Sequence, residues 1–176
     1  MEVVFLKILT TQIGGLLQRI ASNNEEAIGE TARLLAQASV GEGRVVFAGF
    51  GELEAVVMTA LEGIEPFKGA IRYEDGMPIE KVDRVWLLTR SSEDEKALRL
   101  ARSLSENFIP FAALAAEKLD DSNALADFSY TYLSTGLTRG LLPGVDGERI
   151  VQPHALAALF IYEAVKMAYD EILMDS

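Results

Sequence analysis

The chain has 176 residues, 49% of them hydrophobic and 24% charged, with 16 Lys and Arg against 27 Asp and Glu for a net charge of −11. That length predicts a single domain over residues 1–176 with a sizeable core, and the acidic balance argues against nucleic acid and anionic lipid as partners. The absence of cysteine rules out disulfides, thiolate zinc sites and a cysteine nucleophile, and fits a reducing cytoplasm.

The first forty residues predict two helices. Leu9, Ile13, Leu16, Leu17 and Ile20 recur at spacings of three and four, which makes one apolar stripe. Gly14 and Gly15 interrupt it, at a cost near 1 kcal/mol each relative to alanine. Asn23 followed by Glu26 reads as a capping box that opens a second helix, which carries Ile28, Ala32, Leu35 and Ala36 on its apolar side and ends at Gly41 and Gly43. Arg44 to Ala48 is short, β-branched and preceded by glycine, a buried strand. A helix follows from about Leu53 to Leu61, then a brief strand around Ala70 to Tyr73. Arg84 to Thr89 is the next strand, Ser92 to Glu106 an amphipathic helix with acids in its first turn, and Phe108 to Leu114 another strand. Tyr130 to Leu133 reads as the last strand. A glycine-rich connection from Gly136 to Gly147 leads to a long helix from Pro153 to about Leu173.

Strands alternating with helices imply an α/β fold: a three-layer αβα sandwich around a mostly parallel five-stranded sheet, with two N-terminal helices and a long C-terminal helix. Two leading helices suit the flavodoxin-like order 2-1-3-4-5, whose ligand crevice lies between strands one and three. Two polar turns then meet at one mouth. The first is Gly49-Phe50-Gly51-Glu52, where glycine lets a backbone approach a ligand or merely permits a tight turn. The second is Thr89-Arg90-Ser91-Ser92, where hydroxyls and helix-start amides cradle an anion or merely cap a helix, Ser92 with Glu95 forming a capping box. Glu93, Asp94 and Glu95 oppose an anion there, and Arg90 offsets part of that.

With these turns the chain resembles the sugar isomerase (SIS) domain family, nearest to its phosphoheptose isomerase branch and to an uncharacterised bacterial group. The resemblance runs over nearly the whole chain: leading helices, Gly-x-Gly after the first strand, a Ser/Thr turn after a later strand, and a closing helix. It implies an SIS-type fold, a phosphorylated sugar as ligand, and a homodimer or higher homo-oligomer. It also implies either aldose–ketose isomerase activity of the phosphoheptose type or a non-catalytic sugar-phosphate sensing module. The chain departs from the family pattern at Leu53, where the first turn normally has serine. It departs again at Thr59 and Gly63, which stand where the phosphoheptose branch has histidine and glutamate.

His154 is the only histidine and the candidate proton carrier; its other reading is a partly exposed residue in the first turn of a helix. Glu54 and Glu62 are the candidate bases, each also readable as a surface acid. Gln152 and His154 resemble in type the Gln and His that the branch carries near its final helix. Arg139 and Arg149 are loop arginines with two readings, a reach to a phosphate or, by default, plain exposure. One histidine and no cysteine make a metal site unexpected, and no cofactor is implied. The opening Met-Glu-Val-Val-Phe-Leu-Lys has an acid where a signal peptide has base, and no stretch approaches 18 uncharged apolar residues. Neither a leader nor a membrane span is therefore expected, and a cytoplasmic protein is.

Overall fold

The β-branched and apolar runs form one parallel sheet. In the computed structural model, which describes residues 2–120 and 122–176, its strands are β1 (Val45–Gly49), β2 (Ala70–Arg72), β3 (Arg84–Leu88), β4 (Phe111–Ala115) and β5 (Thr131–Ser134). They lie in the order β2-β1-β3-β4-β5, the arrangement read from the sequence. Each central strand is apolar on both faces because helices cover both, as parallel sheets require. Phe47, Trp86 and Leu114 face one layer; Val46, Leu87 and Ala113 face the other.

On the first face lie α1 (Glu2–Val40), α2 (Glu54–Glu62) and α5 (His154–Met174). On the second lie α3 (Glu95–Glu106), the short α4 (Ala124–Phe128) and the connection 73–83, which contains no helix. A two-stranded antiparallel hairpin, β6 (Leu142–Pro143) with β7 (Arg149–Ile150), precedes α5. The apolar girth of α5 is explained by its central place, with Ala158, Ile161, Tyr162 and Val165 fully buried in the core it shares with α1.

Three sequence expectations are corrected. The two N-terminal helices are one continuous helix of 39 residues. Gly14 and Gly15 do not break it, because Ile13, Leu16, Leu17 and Ile20 pack on the core and tertiary contact outweighs intrinsic propensity. Asn23 caps nothing. Its buried neighbour Asn24 turns its amide to the outer edge of β5, donating to the Ser134 carbonyl at 2.8 Å and accepting from the Ser134 N–H at 3.0 Å. The strand expected from Phe108 begins at Phe111 instead, since Asn107 to Ile109 close α3. There the Ile109 N–H bonds Leu104 O, the Phe108 N–H bonds Ser105 O, and Phe108 takes φ 57°. An 18-residue window of α1 also reaches a mean hydropathy of 1.2 despite its charges, long and apolar enough to cross a membrane by length and composition, and 11% of it is buried.

At the N-terminal ends of the strands, Asp83 ties β1 to β3. Its Oδ1 accepts from Arg44 N at 2.9 Å and Nε at 3.1 Å, and its Oδ2 accepts from Arg44 Nη2 at 2.7 Å and from Glu80 N at 2.8 Å. Burial pushes this carboxyl up, but the guanidinium and the two amides outweigh burial and hold it below the ordinary carboxylate value.

Candidate functional site

The C-terminal ends of β1 and β3 carry the two turns, and the structure brings them together. The Phe50 N–H donates to Leu88 O at 2.9 Å, so the first turn is stitched to the end of β3. Between them opens a cleft of about 320 Å³ lined by Phe50, Gly51, Glu52, Thr89, Arg90, Ser91, Glu93 and Asp94. It sits where the strand order reverses, the standard ligand position of an open α/β sheet.

The two glycines differ. A Cβ on Gly49 would lie 2.6 Å from Val57 Cγ2 and 3.0 Å from Leu53 O, so Gly49 serves the packing of α2 on β1. Gly51, which lines the cleft, has φ +59° and open space where a Cβ would be. It begins a 3-10 turn, Gly51–Leu53, whose start no side chain caps. Glu52 in that turn faces Arg90 across the cleft, with Oε1 to Nη1 at 3.7 Å.

The second turn is ordered by carboxylates. Asp94, and not Ser92, is the N-cap of α3: its Oδ1 accepts from Lys96 N at 2.9 Å and Ala97 N at 3.3 Å. Its Oδ2 accepts from the buried Thr89 hydroxyl at 3.0 Å. Ser92 is buried beneath the cleft and gives its N–H to Glu117 Oε2 at 2.7 Å, while the Ser91 hydroxyl donates to Glu117 Oε1 at 3.0 Å. Glu117 follows β4 by two residues, and the reading of the sequence passed over it. The available signal was positional: it is a charged residue just past the C-terminal end of a central strand.

His154 is 7% exposed, more buried than a first-turn surface residue. It stands at the start of α5 with Nε2 3.3 Å from Gln152 Oε1. Burial lowers its pKa from the usual histidine value, Glu52 and Glu117 raise it, and Arg90 lowers it further. The imidazole does not line the cleft. Glu54 turns away to pair with Arg72. Glu62 ends α2 exposed, about 12 Å along the helix from Glu54. Arg149 staples the β6–β7 hairpin by donating to Gly140 O at 2.7 Å and Leu141 O at 2.6 Å, and Arg139 is exposed. The residues lining the cleft thus do not include Glu54, Glu62, Arg139 or Arg149.

Residues 5–173 match the model of a family described as Domain of unknown function (DUF2529). The uncharacterized protein YwjG of Bacillus subtilis (strain 168) is 30% identical over 171 residues, covering 97% of this chain and 98% of that protein. Among solved structures, the Vibrio vulnificus NanR protein complexed with ManNAc-6P matches with a TM-score of 0.68 at 16% identity, over 97% of this chain and 62% of its own. This chain therefore spans less than two thirds of that protein. The sugar isomerase domain of an RpiR transcription factor from Sphaerobacter thermophilus matches with a TM-score of 0.59 at 15% identity, over 97% of this chain and 98% of its own. The fold is that of the SIS domains.

Proposed function

The chain belongs to the family described as Domain of unknown function (DUF2529), and from that premise we propose that its cleft binds a phosphorylated sugar without turning it over. The observation that carries this reading is the meeting of the β1 and β3 turns in one cleft at the reversal of strand order. Arg90, with its side chain 66% exposed, is the cation available to an anionic group, and Glu52 and Glu93 are acceptors for sugar hydroxyls. The ManNAc-6P held by the NanR protein supports the ligand class. Binding is favoured over isomerisation because proton transfer needs an acid and a base within hydrogen-bond reach of the substrate. Here Glu54, Glu62 and His154 do not line the cleft, and its own carboxylates, Glu52 and Glu93, share the lining with no histidine or lysine that could act as the acid.

The test is a thermal-shift panel, since Trp86 is fully buried on the α1–α5 face and does not line the cleft as a fluorescence reporter would. Sugar phosphates are expected to raise the melting temperature more than free sugars or inorganic phosphate do, and Arg90→Glu is expected to abolish the difference. Equal shifts from all three ligand classes overturn the reading. Solvent deuterium entering a bound aldose phosphate would replace it with the isomerase.

We also infer that a second copy covers the start of α1. Val3, Val4, Phe5 and Leu6 are 66%, 60%, 56% and 64% exposed in the isolated chain. Light scattering is expected to give a dimer or larger species that falls to monomer in a Phe5→Lys, Leu6→Lys variant. A monomeric wild type overturns this, and co-sedimentation of that monomer with anionic lipid vesicles would assign the helix to a membrane surface.

A further inference from the structure

We propose that the Glu117 carboxylate is a resident occupant of the anion position in the β3 turn. A sugar phosphate then binds by displacing it, and Glu117 sets the affinity and selectivity of the cleft. The inference rests on the phosphosugar reading above and names the residue that regulates that site.

The Ser91 hydroxyl and the Ser92 N–H converge on two oxygens of one anion, at 3.0 and 2.7 Å. Adjacent donors of this kind suit a phosphate as well as a carboxylate. The backbone that carries Glu117 is fixed independently. Its carbonyl accepts from the Tyr132 hydroxyl at 2.6 Å, and the Ala116 N–H donates to Arg90 O at 3.2 Å. The carboxylate can therefore leave by side-chain rotation without moving its own backbone, while Asp94 still holds Thr89.

Displacement is uphill for a bare anion. Inorganic phosphate would exchange two charge-assisted hydrogen bonds for two others while approaching Glu52, Glu93 and Asp94. A phosphorylated sugar differs, because its hydroxyls donate to carboxylates, the released Glu117 among them. The resident carboxylate thus selects against inorganic phosphate and in favour of a phosphate that brings hydroxyls with it.

The experiment is calorimetric titration of the full chain as wild type, Glu117→Gln and Glu117→Ala, with inorganic phosphate and glucose 6-phosphate as probes. Both variants are expected to bind inorganic phosphate at least ~10-fold tighter than wild type, which corresponds to about 1.4 kcal/mol, and to discriminate less between the probes. Glu117→Gln keeps an acceptor for the Ser92 N–H and so tests the idea even if the alanine variant does not fold. Variants that bind no tighter than a binding wild type overturn the inference alone, leaving Glu117 a turn-ordering residue. Silence of all three proteins toward both probes overturns the phosphosugar reading and the inference with it.

Discussion

Alanine at Gly49 is expected to cost about 2–3 kcal/mol of stability, whereas alanine at Gly51 is expected to cost about 1 kcal/mol. The reasons differ in kind. At Gly49 the added methyl meets Val57 Cγ2 at 2.6 Å, Leu53 O at 3.0 Å and Glu54 Cα at 3.1 Å, two of them backbone atoms that cannot step aside alone. Relief requires α2 to lift from β1, and the 3-10 turn that carries Glu52 moves with it. At Gly51 the methyl meets nothing within 4 Å, and the cost is only that of a left-handed backbone at φ +59°. Denaturant unfolding of the two variants checks the order. A Gly49→Ala protein as stable as wild type would mean that the close packing of strand and helix relaxes at no cost. The two substitutions also separate the roles of the glycines: Gly51→Ala is expected to weaken ligand binding more than its small stability loss suggests.

Asp83→Ala is expected to cost about 3 kcal/mol, the largest effect of a single polar truncation away from the cleft. The Asp83 side chain is 2% exposed and receives four hydrogen bonds, three from Arg44 and one from Glu80, so its loss strands two backbone amides and a guanidinium. Arg44 is 40% exposed and can turn to water, which keeps the figure below that of a fully buried pair. The pH dependence follows from the same group. Its folded pKa is depressed below the ordinary 3.8, so its contribution is complete above that value and is lost as pH falls through the lower folded value. Wild type is expected to lose stability steeply below about pH 4 and Asp83→Asn to show a shallower acid slope, measured by urea unfolding at stepped pH. Parallel slopes would remove Asp83 from the account of acid lability.

The sheet was legible because its information is local. Runs such as Val45 to Ala48 and Val85 to Leu88 are apolar on every residue, which marks strands covered on both faces, and their alternation with helices constrains the order. The single α1 was not legible. Gly14-Gly15 and Asn23 are true local stop and start signals, and only the packing of Leu16, Ile20 and Leu35 on a distant sheet overrides them. α4 was missed because five residues are too few for a period to show. In the cleft, the turns were legible as strand-end punctuation, but the partners inside them were not. Ser92 and Asp94 are both good caps by type; it is Asp94 that takes the Lys96 and Ala97 amides, while the Ser92 amide goes to Glu117, 25 residues on, a partner no local pattern announces. The ion pair of Glu54 was hidden for a similar reason, since its partner Arg72 comes from β2, on the far side of β1 from β3.

Asn24 has a consequence for how copies of this chain meet. An edge strand offers unpaired backbone groups to any passing strand, the template from which domain swaps and fibrils grow. At β5 the carboxamide of Asn24 takes up the outward N–H and C=O of Ser134 as a further peptide unit would, and Thr31 reaches Thr131 Oγ1 at 2.7 Å. The opposite border, β2, is only three residues long. With the end of one margin occupied by a side chain of α1 and the other margin only three residues long, β-augmentation is disfavoured at Ser134 and at β2.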